Sequence, residues 1–204
     1  MTNLLLIRHA ETDMSGRFCG HSDPELNERG RGQLGGLLNA LSVHPIRRVY
    51  TSDLRRARYT AEFIAKHFAA ELHVRPGLRE INFGLWESLS WNEIEARYPI
   101  EAKKWAANYP DSTPPGGESF QQFESRVRSE IAVLRKEATK APLAAVTHAG
   151  LIRVALTKCC GMSDREARDR TKAYAAMVAL DADLICSVEQ LARALHSTQR
   201  AHMS

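Results

Sequence analysis

Two uninterrupted apolar runs constrain this chain more than any other feature. Leu4-Leu5-Leu6-Ile7 leads into Arg8-His9, and Leu143-Ala144-Ala145-Val146-Thr147 leads into His148. A strand with one wet face alternates apolar and polar residues, whereas a strand covered on both faces does not. Both runs therefore read as buried strands of a sheet flanked by helices. Elsewhere the pattern switches to the helical period. Asn27 can cap a helix with Leu34, Leu37, Leu38 and Leu41 on its buried face, and Ser52-Asp53 can cap one burying Leu54, Ala57, Ala61, Ile64, Ala65 and Phe68. Capping-box spacings at Ser90-x-x-Glu93 and Ser119-x-x-Gln122, and a similar one at Ser163-x-x-Glu166, open three more. The first of these three must end near Tyr98, because Pro99 follows. Further strands are expected at Arg47 to Thr51, Leu72 to Val74 and Tyr174 to Leu180. Strands alternating with helices predict an α/β fold, a three-layer sandwich with a mostly parallel central sheet and helices on both faces. The Asn27 helix also carries Gly30, Gly32, Gly35 and Gly36, each costing roughly 1 kcal/mol against Ala. Close packing accounts for one or two of them.

The 204 residues fit one domain spanning 1–204, with a weakly patterned tail from Leu191 that is expected to fray. A net charge of +4, spread over scattered Lys and Arg, lacks the dense stripe of a nucleic-acid binder and points to small anionic substrates at most. Cys19, Cys159, Cys160 and Cys186 have neither zinc nor disulfide-framework spacing, so a reducing, cytoplasmic compartment is expected. The opening apolar run is too short for a secretory leader, and no segment has the length of a membrane span.

Ligands of open α/β sheets bind beyond the carboxyl ends of the strands. In a parallel sheet His9 and His148 reach the same edge, together with Arg8. Arg56, in the first turn of its helix, adds a further cation beside free backbone amides. An arginine offers a planar fork of donors to phosphate or carboxylate, and a neutral histidine offers a nucleophilic nitrogen. No Asp/His metal cluster is present, so these side chains must supply the charge neutralisation. Arg55 and Arg58 read as solvated helix-surface charges, His21 as a solvated loop histidine, Trp86 as core, and Glu11 and Glu87 as loop-stabilising. Taken alone, Arg79-Glu80 reads as a surface pair. His44, His67, His73, His196 and His202 have no convergent partner.

The motifs in order are Arg8-His9-Ala10-Glu11-Thr12, Gly20-x-x-Asp23, Ser52-Asp53-Leu54-x-Arg56-Ala57-x-x-Thr60-Ala61 and Leu78-x-Glu80-x-x-Phe83-Gly84-x-Trp86-Glu87. Pro115-x-Gly117-Glu118-Ser119 and Val146-Thr147-His148-Ala149-Gly150 follow. This series resembles the histidine phosphatase superfamily over roughly residues 3 to 180. The resemblance implies that His9 is the nucleophile and is transiently phosphorylated, while Arg8, Arg56 and His148 hold the phosphoryl oxygens. It implies that Glu80 gives a proton to the leaving alcohol and then takes one from water. An acid that keeps its proton near neutrality needs shielding, so Glu80 is expected to be partly buried. Ser15, Cys19, Gly20 and Ala149 complete the implied substrate-binding set, with no metal and no other cofactor. A small helical cap over about residues 82–118 would set specificity. Ser15 stands where relatives often carry Asn, Cys19 where they carry Gln or Ser, and Asp23-Pro24-Glu25-Leu26 has its proline one place early. Ala10 and Ala149 replace frequent glycines.

The Phe83-Gly84-Leu85-Trp86-Glu87 block looks most similar to the α-ribazole phosphatase and broad-specificity phosphatase branch. The implied partner is a small phosphorylated metabolite such as α-ribazole 5′-phosphate, with no nucleic acid or membrane, and with the chain a monomer or homodimer. The alternatives are a cofactor-dependent phosphoglycerate mutase and a broad-specificity sugar-phosphate phosphatase. A non-catalytic phospho-ligand binder is disfavoured, because His9, Arg8, Arg56, Glu80 and His148 are all present.

Overall fold

The first strand shows how a fully apolar run is used. In the computed structural model, which describes residues 4–180, β1 (Leu4–Arg8) sends Leu4 and Leu6 to one face of the sheet and Leu5 and Ile7 to the other. The other strands are β2 (Arg48–Thr51), β3 (Glu71–Val74), β4 (Leu143–Thr147) and β5 (Met177–Leu180), arranged β3-β2-β4-β1-β5. The first four are parallel, and β5 runs antiparallel to β1 at one edge. The helices are α1 (Glu28–Leu41), α2 (Arg55–Phe68), α3 (Trp91–Arg97), α4 (Pro99–Asn108), α5 (Phe120–Ala138), α6 (Ala149–Val154) and α7 (Asp164–Thr171). Leu5, Ile7, Val49, Ala144 and Val146 pack under α1 and α2. Leu4, Leu6, Ala145, Val178 and Leu180 pack under α5, α6 and α7. The expected α/β three-layer sandwich is the observed one. The expected fraying of the tail, together with Cys186, His196 and His202, falls outside the described residues.

Local signals explain most element starts. Asn27 caps α1 by accepting the Gly30 N–H at 2.7 Å, and both capping boxes, Ser90–Glu93 and Ser119–Gln122, close in both directions. Gly30 is required, because a Cβ there would collide with the Glu11 backbone, whereas Gly32, Gly35 and Gly36 face open space and nothing in the structure requires glycine at them. Two expectations need correction, at the start of α2 and at the last strand, and the end expected near Tyr98 is observed with a further helix after it. Helix α2 begins after Leu54: Ser52 accepts the Leu54 N–H, but Asp53 turns away to Arg79, and the first helical amide, that of Arg55, donates to Asp23 at 2.6 Å. Pro99 ends α3 but also opens α4, the position where a missing N–H costs nothing. The last strand starts at Met177, with Tyr174 and Ala175 in a turn where Ala175 has φ 55°.

A separate small core lies under α3 and α4. Trp86, Leu89, Ile94 and Ala102 are buried there, with Phe18, Phe83, Trp91 and Trp105 packed around them. The chain enters and leaves this region through one neck. The Leu85 N–H donates to Pro115 O at 2.9 Å, and the Glu118 N–H donates to Asn82 O at 2.9 Å.

Candidate active site

Register brings the two histidines together. Arg8 lies opposite Thr147 in the parallel β1–β4 pair, and the His9 N–H donates to Thr147 O at 2.9 Å. The next residues on each strand therefore emerge side by side, with ring centroids 5.2 Å apart and planes tilted by 59°. His9 Nδ1 lies 2.7 Å from Ala10 O. A carbonyl only accepts, so Nδ1 carries the hydrogen and Nε2 keeps its lone pair. That lone pair accepts from Arg56 Nε at 3.3 Å. Burial, then the Arg56 charge, hold the His9 imidazole well below its ordinary pKa, against the pull of the Ala10 hydrogen bond. Burial and Arg56 do the same to His148, whose two ring nitrogens have no partner among the described residues.

Arg56 is fully buried. Its Nη1 donates to Ser22 O at 2.6 Å, and its Nη2 donates to Gly20 O at 2.8 Å and Cys19 O at 3.3 Å. Among the described residues no carboxylate pairs with it. A buried cation facing carbonyls and a histidine leaves a net positive cluster that an anion would offset. Arg8 adds to that charge. Its Nη1 donates to Thr171 O at 3.0 Å and Lys172 O at 2.7 Å at the end of α7, while its buried Nε has no partner among the described residues.

Glu80 is buried, at 8 % exposure. Its Oε2 accepts the Gly150 N–H at 2.7 Å and its Oε1 accepts the Ile81 N–H at 3.0 Å. Gly150 permits the approach, since a Cβ there would strike the carboxylate. The surface pair that Arg79-Glu80 suggested does not form: Arg79 is bidentate to Asp53, at 2.7 and 2.5 Å. Arg55 pairs with Glu25 and Arg58 with Glu62, both on the surface as expected.

Glu87 stabilises the loop that Arg56 faces. It accepts from the backbone amides of Gly20, His21, Ser22 and Phe83 and from the Ser22 hydroxyl, at 2.6–3.1 Å. Burial pushes its carboxyl up, but the Ser22 hydroxyl and these amides outweigh that and leave it below the usual carboxylate value. Glu11 likewise serves its loop, accepting from Asn27 and Gln33 at 3.4 Å. Trp86 is core, as expected.

Of the remaining sequence candidates, Cys19 and Gly20 meet Arg56 through their carbonyls, and Ala149 is the first residue of α6. Ser15 sits in an exposed turn and joins none of these contacts. His21 is half-buried rather than solvated and lines a cavity of about 520 Å³ with Asn82, Glu118 and Arg126. Tyr174 was missed: its ring lies 3.9 Å below the Arg8 guanidinium carbon, and the sequence placed it in a strand. Among the described residues, no group of three or more His, Cys, Asp or Glu could hold a metal ion, and no helix is long and apolar enough to cross a membrane.

The chain is similar to known proteins in sequence and in fold. The family model described as histidine phosphatase superfamily (branch 1) matches residues 4–184. The adenosylcobalamin/alpha-ribazole phosphatase of Salmonella typhimurium is 31% identical over 161 residues, covering 78% of this chain and 80% of that protein. Phosphoserine phosphatase 1 of Hydrogenobacter thermophilus is 31% identical over 72% of this chain and 71% of its own length. The crystal structure of the alpha-ribazole phosphatase from Shigella flexneri superposes with a TM-score of 0.74 at 29% identity, covering 81% of this chain and 83% of that one.

Proposed function

The chain belongs to the histidine phosphatase superfamily and is a phosphoric monoester hydrolase, and from that premise we propose that it hydrolyses a small phosphomonoester through a phosphohistidine on His9. The observation that carries this reading is the state of the His9 ring. One nitrogen is tied to Ala10 O, and the other keeps a lone pair beside a buried arginine that no carboxylate pairs with among the described residues. The long Arg56–His9 hydrogen bond is exchanged for one to a phosphoryl oxygen when substrate enters. Arg8, Arg56 and His148 then surround the charge that spreads over the equatorial oxygens, and such preorganised donors supply most of the stabilisation in phosphoryl transfer. His9 Nε2 attacks phosphorus, the bond to the substrate oxygen breaks, and Glu80 passes its proton to that oxygen. Water then attacks phosphohistidine, losing a proton to Glu80, and the bond from phosphorus to His9 Nε2 breaks, which frees inorganic phosphate and restores the neutral imidazole. A positioned acid of this kind contributes roughly 10²–10⁴-fold.

The leading substrate is α-ribazole 5′-phosphate, supported by relatives with that name in both sequence and structure. Phosphoserine and other small monoesters form the second reading, supported by a relative of equal identity named for phosphoserine. One experiment covers both. Phosphate release is measured in the presence of chelator from α-ribazole 5′-phosphate, phosphoserine, 3-phosphoglycerate and sugar phosphates, with rapid quenching to trap labelled enzyme. Phosphohistidine with a preference in kcat/KM above roughly a hundredfold for one substrate names it. A flat profile removes the α-ribazole assignment, and absence of labelled His9 removes the mechanism.

A further inference from the structure

Tyr174 lies against both groups at the end of β1. The Arg8 guanidinium carbon is 3.9 Å from the centre of its ring, and the His9 imidazole centroid is 5.8 Å away, with the planes tilted by 54°. The backbone brings it there. The Ala175 N–H donates to His9 O at 3.2 Å and the Arg8 N–H to Ala176 O at 2.9 Å, so the turn before β5 is fastened to the strand end that carries Arg8-His9. Among the described residues Arg8 itself is held by hydrogen bonds from Nη1 only, to the carbonyls of Thr171 and Lys172, while Nε is buried and unpartnered. A guanidinium anchored through one nitrogen can pivot about it. A ring face lying against the guanidinium restricts that freedom and also favours the cation where water is excluded.

We infer that Tyr174 is a positioning residue for this site. Its ring face fixes the plane of the Arg8 guanidinium, so that the unpaired Nε–H is presented to the phosphoryl group, and its flank limits rotation of the His9 ring. The inference rests on the proposed roles of Arg8 and His9, and it assigns the work to the aromatic face rather than to the hydroxyl.

Two substitutions separate the parts. Tyr174→Phe keeps the face and loses the hydroxyl, whereas Tyr174→Leu keeps bulk and loses the face. The readouts are kcat and KM on the preferred monoester, competitive inhibition by inorganic phosphate, quenched-flow labelling of His9, and the melting temperature. The expected result is Tyr174→Phe within about twofold of the parent and Tyr174→Leu lower in kcat/KM by roughly tenfold. Most of that loss should fall in KM, with the phosphate inhibition constant rising in parallel. A merely structural role would lower the melting temperature without weakening phosphate binding by the folded enzyme. Should Tyr174→Leu not fold, Tyr174→Met makes the same comparison. Parental kinetics in the Leu variant, or an equal loss in the Phe variant, overturns the inference while leaving phosphohistidine chemistry intact. A parent enzyme that hydrolyses monoesters without labelling His9 overturns the premise as well.

Discussion

The strand-end floor of the proposed site and the small helical region under α3 and α4, the proposed cap, are built in opposite ways. The floor consists of strand ends: His9 and His148 are placed by the register of two adjacent parallel strands, and Arg56 by the first turn of α2. Its polar groups are two arginines and two histidine rings, and among the described residues Arg8 Nε and both His148 ring nitrogens have no hydrogen-bond partner. The cap consists of two short helices and a 3-10 turn around Trp86, a tryptophan with no exposure. Its order comes from aromatic packing, with Trp86 meeting Trp105 edge to face at 5.3 Å. The floor keeps unsatisfied groups ready for an anion at some cost in stability, and the cap supplies apolar burial. Chemistry and stability are therefore expected to respond to different substitutions.

The largest effect should come from the floor. His9→Ala is expected to remove turnover by on the order of 10⁴-fold or more while the melting curve stays near that of the parent. Substantial phosphate release by this variant in chelator would refute the nucleophile. Next is the cap, where Trp86→Ala should cost about 3–5 kcal/mol of stability, read from the denaturant midpoint. The activity of its folded fraction should change much less than that of a floor variant. If kcat per folded molecule dropped as far as in Arg56→Lys, the division between floor and cap would fail. Arg56→Lys itself keeps the charge but loses the fork that reaches His9, Gly20 O and Ser22 O together. A fall in kcat/KM of roughly 10²-fold is expected, with a smaller change in melting temperature.

The smallest effect is a dependence on pH. His9 and His148 both titrate well below their ordinary value in the folded chain, chiefly through burial. Below about pH 6.5 the unfolded chain takes up protons that the folded one refuses. Stability is thus full above that pH and declines as pH falls toward the folded values. Melting temperatures measured between pH 7.5 and 5 should show that slope, and His148→Asn should flatten it. An unchanged slope in the variant would mean that other groups carry it.

Much of the floor was readable because its determinants are local. An apolar run, its terminal histidine and a helix carrying an arginine all sit within short windows, and parallel pairing does the rest. What escaped was set by distant partners or by residues with two uses. Asp53 looked like a cap, but Arg79 takes its carboxylate and Asp23, far away in sequence, receives the Arg55 amide. Pro99 marked an end and also marked a beginning, so α4 was missed. Tyr174 looked like strand because it is aromatic and precedes apolar residues. Only the fold shows that its turn stacks under Arg8. Glu80 and Glu87, seven positions apart, carry the same side chain, and only their partners distinguish one that accepts two amides from one saturated by loop donors.

The neck at Leu85–Pro115 and Asn82–Glu118 has a practical consequence for engineering. Because the polypeptide leaves and rejoins the main body at neighbouring points, the stretch between them behaves as a cassette. Grafts joined at those points, with Glu87 and its loop donors retained, would change this region without re-registering β1 and β4. Under the proposed function, a library built on that boundary would sample new leaving groups against unchanged strand ends.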